Sequence, residues 1–295
     1  MLIEMNEFKD LLNRRSVPLT LEAPLIRNRE SLDNFIDIFR EYSLDRWIIG
    51  INTLNNPLGN LSSDPIILGH ILQSNLHIET IPHISAGLEN IYTLGRWLLG
   101  AALLDINNLL LLTGDLRMEG GLNLRTAIDV VKSFSEGEVV IDGKKFKVPR
   151  KKFFIGGALL PDRRNEAERA IDKVSLGIKF FQTQVVFDAE NVIRILKEID
   201  TIHRGDVKLH ILISLIPMLS ERIVNILGSG ALKIDIKHLA DLSNSEYISH
   251  VETTAKNLLE FGGELSNIKL GFHFIPIFWK SEIAANIVEI IERIV

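Results

Sequence analysis

The sequence predicts an α/β chain folded as one (β/α)8 barrel, and three observations carry that reading. Eight apolar, strand-like runs alternate with segments of helical period, the pattern of a parallel sheet crossed by helices. One of those runs holds four consecutive leucines, Leu109 to Leu112, as a strand buried on both faces would. No linker or shift in composition divides the 295 residues, and barrels of this kind commonly take about 250 residues as a single domain. Residues 1–295 are therefore read as one barrel.

The strand-like runs are Val17–Pro24, Arg46–Leu54, Leu76–Ser85, Asn107–Asp115, Lys152–Leu160, Ile178–Asp188, Val207–Pro217 and Ile268–Phe278. Helices are expected from Ser31, from Asp64 with Pro65 at the first helical position, from Asp162, from Asp188, from Leu124 to Phe134, from Ser220, from Glu246 to Phe261, and from Ser281 to the end. The stretch Glu136 to Pro149 alternates around Asp142-Gly143 and reads as a β-hairpin inserted before the fifth barrel strand. Gly228 to Asn244 is irregular, with room for an extra helix.

Composition narrows the partners. Lys and Arg number 33 against 38 Asp and Glu, and no basic block is long enough to track a phosphate backbone, so nucleic acid is not expected. The basic stretch Lys144 to Lys152 reads as a solvated hairpin that could rim an anionic site. The absence of cysteine excludes disulfides and thiolate ligands, and no His or carboxylate cluster has metal-ligand spacing, so no metal is expected. A charged N-terminus and apolar runs far short of about 20 residues predict a cytoplasmic chain without membrane insertion.

In a barrel the carboxyl ends of the strands face one mouth, where the chemistry sits. Those ends carry Glu22, Asn52, Asn55, His83, Ser85, Thr113, Asp115, Gln182, Gln184 and Lys280. Glu22 lies between Leu21 and Ala23, where an ionised carboxylate is costly to bury without a partner. An Asp after Gly, as Asp115 is, can equally be a turn former or helix cap. His83 in an apolar run can be a satisfied core residue, Gln184 can bond neighbouring backbone, and Lys280 can be a surface charge at a helix start. Neutral amides with one or two carboxylates suit a heteroaromatic ring system, with a redox cofactor to do what side chains cannot. No GxGxxG follows a strand and no GxSxG is present, so neither a Rossmann site nor a serine nucleophile is indicated.

Read together, LEAPL, IPHIS, LLLLTGD, FFIGGALLP, the stretch from Asp172 to Asp188, and His273-Phe274 with a later Ser-Glu resemble the methylenetetrahydrofolate reductase family of flavin-containing barrels. The resemblance spans nearly the whole chain, and its specific part is the order TGD, GxAxxP, KxxxG and TQxxFD. It implies reduction of 5,10-methylenetetrahydrofolate, or a related methylene-tetrahydropterin, to the 5-methyl form. Hydride would pass from a donor such as NAD(P)H through FAD, in preference to FMN, as a step of one-carbon metabolism and methionine biosynthesis. By residue match Glu22 is the general acid that helps open the imidazolidine ring, and an apolar setting favours its protonated form. Asp115 matches the carboxylate beside the flavin and pterin rings, and Gln184 a folate-binding glutamine, with Asn55 and Lys280 as further substrate-side candidates. His83, Thr113, Gly114, Asp115, Ala158 and Lys173 fall where the family contacts FAD, Lys173 toward the diphosphate. The family also implies a homo-oligomer.

The chain departs from the family pattern at three places. Ala23-Pro24 follows Glu22, Leu88 stands where an Asp is expected after His83, and LRMEGG follows TGD. The alternative reading is a diverged barrel serving as a flavin- or pterin-binding subunit of a larger reductase or methyltransferase complex.

Overall fold

The computed structural model describes residues 7–114, 117–205, 207–228 and 236–295. Eight parallel strands close into a barrel: β1 (Leu19–Glu22), β2 (Ile48–Thr53), β3 (Thr80–Ser85), β4 (Asn108–Leu112), β7 (Phe154–Leu159), β8 (Phe180–Val185), β9 (Leu209–Leu215) and β10 (Ile268–Phe274). Each lies inside one of the eight apolar runs, and β1 pairs with β10 to complete the circle. The two-stranded hairpin β5 (Glu138–Ile141) and β6 (Lys144–Lys147) stands before β7 as expected, turning through Asp142 and Gly143, both at positive φ.

The crossover helices are α2 (Arg29–Glu41), α3 (Pro65–Leu76), α4 (Ile91–Leu103), α5 (Leu124–Glu136), α6 (Glu166–Leu176), α7 (Glu190–Ile202), α8 (Glu221–Gly228), α9 (Asn244–Gly262) and α10 (Ser281–Ile294). Local chemistry sets their starts. Asp64 accepts from the amides of Ile66 and Ile67 ahead of Pro65, as a helix cap should. Helix α2 begins two residues before Ser31, because Asn28 is the cap and Ser31 closes a reciprocal capping box with it. Helix α6 begins at Glu166 and not just after Asp162, since Asn165 adopts a left-handed conformation that interrupts the chain there.

Two helices gave no clear signal in sequence. Helix α4 is apolar almost all round its C-terminal half, so no amphipathic stripe marks it, although Asn90 caps it through the amides of Tyr92 and Thr93. Helix α1 (Glu7–Arg14) closes the amino-terminal end of the barrel. Its Phe8 and Leu12 are fully buried and pack with Ile49, Ile81, Leu110, Phe180 and Leu212 in a cluster separate from the main core. The Phe8 ring meets Phe180 edge-on at 5.4 Å and Phe154 at 6.2 Å. Gly50 is required beneath it, because a Cβ there would lie 2.9 Å from the Phe8 ring. Glu79 ties the helix down: one carboxylate oxygen accepts from the Phe8 amide at 2.8 Å and from Asn108, the other from Asn107.

Filling this end leaves the carboxyl end open. Phe8→Ala should therefore cost about 3–5 kcal/mol, the usual range for deleting a buried aromatic ring. Urea denaturation is the check, and a midpoint equal to that of the parent chain would show that α1 does not seal the barrel.

Candidate active site at the carboxyl end of the barrel

Inside the barrel, above the apolar layer, lies a layer of polar side chains set by strand register. Thr20 on β1 pairs with His273 on β10, and Glu22 pairs with Asn52 on β2, so alternate residues of neighbouring strands meet on the inner face. Asn52 and Gln182 exchange amide bonds: Asn52 Nδ2 donates to Gln182 Oε1 at 2.7 Å, and Gln182 Nε2 donates to Asn52 Oδ1 at 3.0 Å. Gln182 Nε2 also reaches Thr20 Oγ1 at 3.5 Å, Thr20 Oγ1 bonds His273 Nδ1 at 2.9 Å, and Asn52 Nδ2 bonds His83 Nε2 at 2.8 Å. His273 Nε2 lies 3.8 Å from Glu22 Oε2. All but Glu22 are buried, which is tolerable because each finds a partner.

His83 shows what that burial does: loss of solvation lowers its pKa to about 4, opposed by the nearby Glu22 carboxylate and assisted by His273. The ring is neutral at neutral pH.

A cavity of about 1180 Å³ opens over this layer. It brings together most of the residues that the sequence pointed to: Glu22, Asn55, His83, Thr113, Gly114, Ala158, Lys173 and Gln184 all line it. Gly114 has φ +83°, a left-handed conformation that glycine adopts without strain and that lets backbone approach a ligand closely. Asn55 is buried on the wall, with its side chain against the Glu89 carboxyl, where a hydrogen bond from it favours the carboxylate. Burial is the larger influence on Glu89 and raises its pKa.

Two expectations change. Lys280 is exposed at the start of α10 and is not among the residues lining the cavity, so it sits as a surface charge. Lys173 does line the cavity, but its ammonium is already engaged, donating to the Ala158 carbonyl at 2.7 Å and to Glu166 Oε1 at 3.0 Å. Glu166 is fully buried, and Arg163 approaches its other oxygen at 3.8 Å. Asp115 lies outside the described residues. Among those described, no three His, Asp or Glu residues come together as a metal-binding group.

Sequence reasoning missed Thr20, His273, Arg163, Glu166 and Trp279. His273 had a signal, a histidine inside the apolar strand GFHF. Thr20 had none, because threonine is an ordinary strand residue. Trp279 lines the cavity with its ring 4.9 Å from Phe35, and its buried indole nitrogen makes no hydrogen bond.

The methylenetetrahydrofolate reductase family profile matches residues 25–228. The chain belongs to that family. Glu22 on β1 and His273 on β10 lie outside the matched stretch, so their place beside the family site comes from barrel closure. No curated protein matches the chain in sequence. Among solved structures, an uncharacterized protein from Clostridium thermocellum, which binds two copies of 5-methyl-5,6,7,8-tetrahydrofolic acid, superposes with a TM-score of 0.73 at 18% identity, covering 96% of this chain and 97% of that one. EDTA monooxygenase from Chelativorans sp. BNC1 shares the fold at a TM-score of 0.54 and 12% identity, over 94% of each chain. No helix among the described residues is long and apolar enough to cross a membrane.

The buried histidines give the fold a pH dependence. His210, at the opposite end on β9, is also lowered to about 4, by burial and then by Lys269. In the unfolded chain both rings take up a proton near 6.5, whereas the folded chain binds it only near 4. Stability is therefore fully present above about pH 6.5 and falls with pH down to about 4, by on the order of 3 kcal/mol per ring. Denaturant midpoints between pH 7 and pH 4 test this: His210→Gln should flatten the slope by about half, and an unchanged slope would contradict it.

Proposed function

We propose that the protein reduces the methylene carbon of a reduced pterin of the folate class, with a flavin in the cavity and Glu22 as general acid. The observation that carries the reading is Glu22. Its carboxyl group, 14% exposed, faces the cavity from the inner end of β1 with His273 behind it. Proton donation to the ring nitrogen breaks its bond to the bridging carbon and leaves that carbon an acceptor for hydride. Gln184 and Asn55 offer neutral amides to a pterin from the cavity wall. The folate bound by the Clostridium thermocellum protein supports this ligand class.

The wall fits a flavin. Thr113, Gly114 and Ala158 place only small side chains on it, and the group Glu166, Lys173 and Arg163 carries one net positive charge toward a diphosphate. The volume exceeds what one drug-sized ligand fills, roughly 300–1000 Å³, leaving space for a second ring system. A flavin bound there would supply the hydride, recharged by a donor such as NAD(P)H.

A second reading is a barrel that binds reduced folate without flavin, within a larger reductase or methyltransferase complex. Glu166 favours it, since it already neutralises the lysine that a diphosphate would call on. The visible spectrum separates the two. In the leading reading the purified protein is yellow or takes up FAD, and Glu22→Gln lowers pterin reduction at least roughly 100-fold while flavin reduction by the donor persists. Equal loss of both half-reactions would remove the acid role. Tight pterin binding with no flavin taken up would select the second reading.

A further inference from the structure

The polar layer beneath the cavity is a hydrogen-bonded circuit, His273, Thr20, Gln182, Asn52, His83, with Glu22 at its end, Oε2 3.8 Å from His273 Nε2. Its hydrogens can be counted, because each amide and each neutral imidazole has one donating and one accepting side. With the amides as they stand, Gln182 Nε2 donates to Thr20 Oγ1. The Thr20 hydroxyl then gives its own hydrogen to His273 Nδ1, so the ring hydrogen of His273 sits on Nε2, facing Glu22. At the other end Asn52 Nδ2 donates to His83 Nε2, so the hydrogen of His83 sits on Nδ1. In this arrangement Glu22 is a carboxylate.

Turning both amides over preserves their reciprocal pair and reverses everything attached to it. Thr20 then donates to Gln182 and accepts from His273 Nδ1, which leaves His273 Nε2 as an acceptor. His83 donates from Nε2 to Asn52, which leaves its Nδ1 bare. This arrangement holds one proton more, between Glu22 Oε2 and His273 Nε2, and that is the proton a general acid delivers.

We propose that His273 is a positioning residue for Glu22, and that this circuit couples the proton on Glu22 to His83. When Glu22 carries the proton, His83 offers the cavity an acceptor at Nδ1; when Glu22 has given it up, His83 offers a donor. The circuit suits this because it is buried and hydrogen-bonded from His273 to His83, and the Glu22 carboxyl group stands within ion-pair reach of His273 at its end. Its ionisable members are Glu22 from β1, His83 from β3 and His273 from β10, and the electrostatic influences on His83 come from the other two. The remaining charged side chains on the cavity are Arg27, Arg163 and Lys173. The catalytic consequence rests on the reading of Glu22 as the acid, whereas the coupling itself does not.

Imidazole nitrogen NMR on the ligand-free chain tests the coupling, with His83 and His273 assigned from single His→Gln variants. Both rings should exchange their hydrogen-bearing nitrogen at one common pH. Thr20→Val, a change away from the cavity lining, should leave His83 in one form across that pH, and Thr20→Ser should restore the linked change. In turnover, Thr20→Val should lower kcat for pterin reduction roughly tenfold and shift its acidic limb, with KM within about twofold, and Thr20→Ser should recover both. Histidines that keep fixed forms while the Glu22 carboxyl titrates, or Val and Ser variants that behave alike, would overturn the proposal. The titration of the unaltered chain decides the coupling even where a variant fails to fold. A coupled titration in a chain that reduces no pterin would sink the functional reading and leave the circuit standing.

Discussion

The constraint on which the rest of this barrel depends is that polar groups inside it must satisfy one another. A buried amide, imidazole or hydroxyl without a partner costs on the order of 1–3 kcal/mol, and five such residues occupy one layer of the interior. The layer is stable because register brings complementary partners opposite one another. Thr20 meets His273 across the β1–β10 seam, and Asn52 and Gln182 reach across the barrel to close a reciprocal pair. A slip of one residue in any of these strands would turn its own polar side chain outward and leave that side chain's partners unpaired. The circuit therefore fixes register as firmly as the hydrophobic pattern does.

Layering follows from this. Below the circuit the interior is filled by aromatic and aliphatic side chains under helix α1, and above it the strands end in a cavity. The upper face combines solvent access with rigid polar groups, which suits it to ligand chemistry. The Glu166 and Lys173 pair extends the same logic to the rim. A fully buried carboxylate is held by an ammonium that also bonds the Ala158 carbonyl, so the end of β7 is fixed relative to α6. Removing either partner would strand the other charge, which is why the pair reads as scaffold at the edge of the site.

Much of the fold was legible because it is written in local pattern. Eight apolar runs gave eight strands, and the Asp-Gly turn gave the hairpin. The helices that escaped were those whose sequence shows no one-sided stripe: α4 buries one face through Leu94, Leu98 and Ala101 but carries apolar residues on its exposed side as well, and α1 is short and charged, with an apolar face that makes sense only once there is a barrel end to close. The site was half legible. Glu22, Asn55, His83 and Gln184 could be picked out as polar residues at strand ends. Thr20 and His273 lie 253 positions apart, and nothing in either local sequence says that closure sets them side by side. Lys173 lines the cavity, and its neighbour was not foreseen, since Glu166 reads as an ordinary acidic residue in the first turn of a helix.

Two histidines show why geometry, and not burial, separates function from structure here. His83 and His210 are both buried, and burial lowers both to about 4. By titration alone they are equivalent. His210 bonds Asn13 of helix α1 at the closed end, and its other nitrogen is sealed without a partner. His83 is bonded through one nitrogen to a chain of four further side chains, the last of which, His273, lies 3.8 Å from the Glu22 carboxyl group on the cavity, and its ring lines that cavity. A proton change at His210 can only loosen the barrel. One at His83 must be answered by Asn52, and through it by the rest of the circuit, which is what places this histidine with the chemistry at the barrel mouth.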